Sequence, residues 1–316
     1  MRCIICGQEK EPSIEHIVPA MLGNRSFTTD CVCNDCNKTL GHNIDSYFAD
    51  NCFINIWRQA NGITSRNGEA VHAFDGLKTE RDGVKYVIRD SVTHIIPTPI
   101  KTSTGYKITA SLHDLGTAAS IIEKRLKRDT KPDGKPFSQQ EIDDLIKNAE
   151  ITNRSVEPVK YDCPADLDYI SISMAHIKIA YEFSFWSFGN DYWNDPMQSK
   201  LQRYVTVGLN YNHNYFSKII NLPDVLQNVV PLSDHYTKQL LPACQSDISK
   251  EIIHFLALIR SQNSIWCQIA LCGQGLFSSL IKVSDDPERY GKTLPIICIL
   301  KDGSYERFVL QHETNE

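Results

Sequence analysis

The chain has 316 residues, of which 41% are hydrophobic and 22% charged, with a formal net charge of −5. That is an ordinary globular composition, long enough for a real core and for about two domains. The acidic balance argues against a protein that coats nucleic acid by bulk electrostatics, although a local site can still steer a polyanion. The opening MRCIICGQEKEPS has no basic-then-apolar leader, and no run of about 18 uncharged apolar residues occurs. The expectation is a soluble, cytoplasmic protein without a membrane segment.

Residues 1–66 form a cysteine-rich block. Six of the 11 cysteines fall in it: Cys3, Cys6, Cys31, Cys33, Cys36 and Cys52. Without a secretion signal, clustered Cys-x-x-Cys pairs read as a metal site rather than as disulfides. Cys3–Cys6 and Cys33–Cys36 can converge on one tetrahedral zinc, whose four thiolates leave no open position, so the ion is structural. Cys31 could compete with Cys33, but only Cys33 has the two-residue spacing to Cys36. Such a site contributes on the order of 10 kcal/mol to a small fold. Between the pairs stand Glu15 and His16, followed by Pro19 and Leu22-Gly23. DSYFADNCFINIWRQA, from Asp45 to Ala60, reads as one helix with Asp45 as N-cap and Phe48, Cys52, Ile56 and Ala60 on one face.

Residues 67–316 mix strand and helix patterns and make the chain α+β. KYVIRDSVTHII (85–96) and GYKITASLH (105–113) read as strands, and GTAASIIEKRLKRD as a short basic helix. Ser138 and Glu141 form a capping box ahead of another helix. SMAHIKIAYEFSFWSF (173–188) is apolar on most faces and reads as a buried helix. Its aromatic cluster, Tyr181, Phe183, Phe185, Trp186 and Tyr192, suits core packing better than base stacking. SIWCQIALCG, GLFSSLIKVS, LPIICIL and SYERFVL read as strands, the last two joined by a turn at Lys301-Asp302-Gly303. Cys163, Cys244, Cys267, Cys272 and Cys298 are expected to be buried small apolar residues. The boundary near residue 66 separates a zinc-stapled module, 1–66, from a larger α+β domain, 67–316.

Cys-x-x-Cys, Glu15-His16-Ile17-Val18-Pro19, Leu22-Gly23, Cys33-x-x-Cys36-Asn37 and Leu40-Gly41, in that order, resemble the HNH endonucleases, in particular their zinc-stapled branch. The resemblance covers about residues 1–60 and implies a ββα unit that hydrolyses DNA phosphodiesters with a divalent ion. It makes His16 the general base, for which imidazole is suited by a pKa near working pH. It makes Glu15 and Asn37 ligands of a catalytic Mg²⁺ or Mn²⁺ ion, both offering hard oxygen donors. Asp30 stands where the family usually has its middle Asn, which orients the loop facing the base. Aspartate accepts hydrogen bonds there but cannot donate, so this departure bears on activity. His42 lies beyond Gly41, off the motif positions.

The module has few basic residues, so phosphate contacts are expected elsewhere, with Lys124, Arg125, Lys127 and Arg128 the strongest local group. The other reading of that group is a solvated helix face. By analogy, an HNH module on an unrelated domain resembles effectors of anti-phage defence, with a partner protein or ligand acting through residues 67–316 and a homo-oligomer serving two strands. The competing readings are a catalytically inactive zinc-knuckle module for nucleic-acid binding or assembly, and an RNase using the same site.

Overall fold

The computed structural model describes residues 1–65, 67–102, 105–131, 133–151, 158–162, 169–209, 252–273 and 277–310. The chain divides into two units: Met1–Val71 with Asp166–Glu316, and His72–Ala165. The cysteine-rich block therefore shares a unit with the C-terminal half, whereas composition suggested a simple split at residue 66.

In the first unit, β1 (Pro12–His16) and β2 (Thr28–Cys33) pair antiparallel, with Pro12 opposite Cys33, His16 opposite Thr28 and a bulge between Ser13 and Glu15. Cys33 is extended and opens α1 (Asn34–Leu40), which runs on through a π-helical turn, Gly41–Asp45, into α2 (Ser46–Ala49). The expected helix from Asp45 to Ala60 is corrected here. Asp45 has helical dihedrals and lies inside the helical run, while Asn51 caps a separate helix, α3 (Cys52–Ala60), by accepting from the Phe53 N–H. Periodicity alone could not see the break at residues 50–51, because the apolar stripe continues through it.

The second unit holds an antiparallel sheet of β3 (Lys78–Arg81), β4 (Val84–Arg89) and β5 (Val92–Ile96). The segment expected as one strand over 85–96 is thus a hairpin. Asp90 and Ser91 both take positive φ, 50° and 62°, and reverse the chain without a glycine to signal it. β6 (Ile100–Thr102) and β7 (Gly105–Lys107) form a short hairpin, less than the strand expected over 105–113. The basic helix is α4 (Leu115–Leu126), and α5 (Gln139–Lys147) starts with the expected capping box.

Returning to the first unit, α6 (Tyr169–Phe188) is the buried helix, followed by α7 (Pro196–Leu209). Tyr181, Phe183, Phe185 and Tyr192 are core residues, and Trp186 packs against them half-buried. Five antiparallel strands complete the unit: β8 (Ile252–Ser261), β9 (Ser264–Leu271), β10 (Phe277–Ser284), β11 (Leu294–Leu300) and β12 (Tyr305–Leu310), ordered β10-β9-β8-β11-β12. Central β8 was not read from the sequence. It is apolar on both faces, so it lacks the alternation that marks a half-exposed strand. Leu256 and Leu258 join the core that contains α6, while Phe255 and Ala257 join a smaller cluster on the other face with Ile296 and Cys298. Cys267, Cys272 and Cys298 are buried as expected; Cys163 and Cys244 lie outside the described residues. No described helix is long and apolar enough to cross a membrane.

Candidate active site

The Sγ atoms of Cys3, Cys6, Cys33 and Cys36 all lie within 4.8 Å of one another. A tetrahedral zinc with Zn–S bonds of about 2.3 Å needs sulfurs about 3.8 Å apart, so this four-thiolate set is compatible with that ion. The Cys33 N–H points at Cys3 Sγ, 3.4 Å away, and Gly7, with φ 70°, turns the first knuckle so that its N–H bonds the Cys3 carbonyl at 2.8 Å. Cys31 is not among the four. The knuckle is held from outside as well. Tyr181 Oη donates to the Ile4 carbonyl at 2.6 Å, and Gln202 Nε2 donates to the carbonyls of Ile4 and Ile5 at 3.0 and 3.1 Å. A zinc here would lock β2 and α1 to the N-terminal knuckle.

From that staple, α1 carries Asn37 onto β1. Its Nδ2 donates to the Ile14 carbonyl at 2.8 Å and to Ser13 Oγ at 3.0 Å, and Ser13 Oγ donates to the Val32 carbonyl on β2 at 3.1 Å. One amide thus joins helix and hairpin immediately before Glu15-His16, and its N–H bonds leave Oδ1 as the acceptor. The β1–β2 connection is organised by Asn24, fully buried. Asn24 Nδ2 donates to the carbonyls of Val18 and Phe27 at 2.7 and 2.9 Å, and Oδ1 accepts the N–H groups of Phe27 and Ser26. This is a staple, a two-stranded hairpin and a helix, with an acid–histidine pair on the first strand.

Residues 3–53 match the HNH endonuclease family. No curated protein and no solved structure matches the chain.

The HNH module places its expected catalytic residues unevenly. The strand pleat turns Glu15 and His16 to opposite faces. His16 is half-buried, and Glu15 faces the interior at 4% exposure. There Glu15 Oε1 meets Lys178 Nζ of α6 at 2.5 Å, and the same ammonium bonds Asp45 at 3.1 Å and lies 3.8 Å from Glu182. Burial pushes the Glu15 carboxyl up, against the opposing pull of Lys178. Burial raises Glu182 well above the usual carboxylate range, again against Lys178. For Lys178, burial would lower the ammonium, but Asp45, Glu15 and Glu182 outweigh it and raise it. One buried cation thus stands among three carboxyl groups, closest to Glu15 and farthest from Glu182. Asp30 is exposed on β2, with the Cys31 thiol 3.8 Å from its carboxylate.

The arrangement as folded therefore engages Glu15, one of the two residues the family likeness implies as ligands of a catalytic Mg²⁺ or Mn²⁺, with an ammonium. Among the described residues, the four cysteines are the one group of three or more His, Cys, Asp or Glu side chains close enough together for an ion.

The HNH module is also tied to the C-terminal sheet. His254 on β8 accepts the Cys272 N–H at Nδ1, 3.0 Å, so Nε2 carries the proton and donates to the Leu22 carbonyl at 2.9 Å. Burial lowers this imidazole to about 4, so it is neutral. At Gly303, with φ 86°, the carbonyl accepts the Arg25 N–H at 2.9 Å, and a Cβ there would lie 2.7 Å from the Gly23 carbonyl oxygen.

Asn24, Asp45, Lys178 and His254 were not singled out as site residues by sequence reasoning. One signal was available: Lys178 and Glu182, four apart in an otherwise apolar helix, mark a buried polar pair that needs partners. In the second unit, Lys124, Arg125, Lys127 and Arg128 are exposed around the end of α4, with Lys127 paired to Glu123 at 2.6 Å.

Proposed function

We propose that the chain is an endonuclease that hydrolyses DNA phosphodiester bonds at His16. The observation that supports this most is the Asn37 tie to Ser13 and Ile14, which sets zinc staple, hairpin and helix in the family's order around His16. In this reading the His16 imidazole takes the proton of the attacking water, whose oxygen bonds to phosphorus as the bond from phosphorus to the leaving 3′ oxygen breaks, and that oxygen takes a proton from solvent. Asn37 belongs to the site through its Oδ1, and Asp30, exposed on β2, takes the middle motif position that orients the loop facing the base. Dependence on Mg²⁺ or Mn²⁺ is part of the proposal by family likeness, but no step is derived through such an ion because Glu15 is engaged by Lys178. The exposed Lys124, Arg125, Lys127 and Arg128 are proposed phosphate contacts. The biological setting proposed, again by analogy, is defence against phage, with activation by a protein or ligand through residues 67–316 and pairing of two copies for double-strand cleavage.

Cleavage of supercoiled plasmid with Mg²⁺ or Mn²⁺ tests the reading, against His16→Ala and an EDTA control. Nicking by the wild type that disappears in His16→Ala supports it. Wild-type cleavage that persists in His16→Ala removes His16 as the base. RNA in place of DNA separates the ribonuclease alternative. The Glu15–Lys178 pair favours one second reading, an inactive zinc-knuckle module, for which neither DNA nor RNA is cut under any of these conditions.

A further inference from the structure

Glu15 and Lys178 stand 163 residues apart in sequence and meet at 2.5 Å with both side chains buried. Lys178 Nζ also lies 3.5 Å from the His16 carbonyl and bonds both carboxylate oxygens of Asp45, at 3.2 and 3.1 Å. The ammonium therefore touches the acid–histidine pair twice, through the side chain of one residue and the backbone of the next. It also ties that strand to the π-helical turn that continues α1. A buried lysine needs a compensating partner, and breaking such a pair leaves an uncompensated charge. Here the pairing has a second effect: it fixes the strand end from which His16 projects. Asn37 holds the same strand from α1 just before Glu15, so β1 is pinned on either side of the bulge.

We propose that Lys178 is a positioning residue for the HNH reaction, holding Glu15 and the His16 backbone in place, and that Glu15 is an anchor rather than a ligand of the catalytic ion. This rests on the nuclease reading above. It departs from the ligand role that family likeness implies for Glu15, and it does so because an ammonium already stands at that carboxylate. A general base acts only within hydrogen-bond reach of its proton, and a displacement of about 1 Å can lower a rate on the order of 100-fold.

The test uses the full-length, zinc-loaded protein as wild type, Glu15→Gln, Lys178→Met and Lys178→Arg. Two measurements are made on each: titration with Mn²⁺ alone, following free Mn²⁺ by electron paramagnetic resonance, and steady-state plasmid cleavage. The expected result is that Glu15→Gln leaves Mn²⁺ affinity unchanged while kcat falls about 100-fold at constant KM. Lys178→Met gives the same loss, and Lys178→Arg, which keeps the charge, recovers most of it. Binding of Mn²⁺ by none of the four proteins also supports the anchor role, since a Glu15 released from its lysine still takes no ion. The proposal is overturned if Glu15→Gln weakens Mn²⁺ binding by about 10-fold or more, or if Lys178→Met tightens it by as much. Glu15 would then be a ligand for which Lys178 competes. Should Lys178→Met not fold, Glu15→Gln and Lys178→Arg still decide the matter. If the wild type cuts no nucleic acid, the reading of an unassisted nuclease fails, and the Mn²⁺ titration still says whether Glu15 binds an ion.

Discussion

The Tyr181 hydroxyl donates a 2.6 Å hydrogen bond to the carbonyl of Ile4, inside the first cysteine knuckle, while Gln198 donates to the same hydroxyl oxygen at 2.9 Å. A helix in the second half of the chain thus finishes a turn that begins three residues from its start. The apolar core is continuous with this contact, running from Cys3 and Phe48 through α6 to the C-terminal sheet. Residues 1–66 expressed alone are accordingly expected not to fold even with zinc, because their inner face would be open to water. Far-ultraviolet circular dichroism and amide chemical-shift dispersion check this. A fragment with native-like dispersion would show that the module has a core of its own.

Loss of the staple acts on the whole first unit. Cys33→Ser or Cys36→Ser removes one of four thiolates, and chelation removes the ion. Either should lower stability by several kcal/mol, within the on-the-order-of-10 kcal/mol that structural zinc supplies to small folds. Cys31→Ser is the internal control: Cys31 shares a strand with Cys33 but lies outside the cluster, so its zinc content should stay at one per chain. Metal analysis after gel filtration reads both. Equal zinc loss from the Cys31 and Cys33 variants would reassign the fourth ligand.

Acid should weaken the clamp between β8 and the β1–β2 loop. Neutral His254 has its pKa lowered by burial to about 4, against an ordinary imidazole value near 6.5. Between those values the unfolded chain binds more protons than the folded one. Stability is therefore fully present above about pH 6.5 and falls as the pH drops toward 4, by about 3 kcal/mol from this residue. Burial likewise lowers His176, to about 3, and extends the same trend to lower pH. Urea midpoints across this range should change less steeply with pH in His254→Gln than in the wild type, by about one proton. Parallel curves would mean that His254 does not titrate on unfolding.

Asn24 should be among the least replaceable polar residues of the module. Its amide gives two hydrogen bonds to carbonyls and takes two from N–H groups, all within residues 18–27. Asn24→Ala leaves these backbone groups without that partner and should destabilise the protein by about 3 kcal/mol. Asn24→Asp keeps the shape but sets a carboxylate oxygen against the carbonyls of Val18 and Phe27, so it should do at least as much harm. Thermal melts of both variants measure this, and Asp tolerated better than Ala would contradict the donor role of Nδ2.

Sequence alone was enough for features whose physics is local. Two Cys-x-x-Cys pairs define a tetrahedral thiolate set by spacing, Ser138 and Glu141 define a helix start within four residues, and Lys301-Asp302-Gly303 defines a turn. The apolar run of α6 declared itself buried. The order of acid, histidine, cysteines and asparagine was likewise legible as an HNH pattern, and the matched segment agrees. Tertiary structure decided what those residues face. Whether Glu15 meets an ion or an ammonium depends on Lys178, 163 positions away, and no local pattern encodes that distance. Asp45 looked like a helix cap because its neighbours suit one, yet its carboxylate serves Lys178. Central strand β8 was hidden because burial on both faces removes the alternation that identifies a strand. The pairing of the N-terminal block with the C-terminal half has the same origin. A short cysteine-rich segment cannot cover its own apolar face, and which distant helix and sheet cover it follows only from the packed chain.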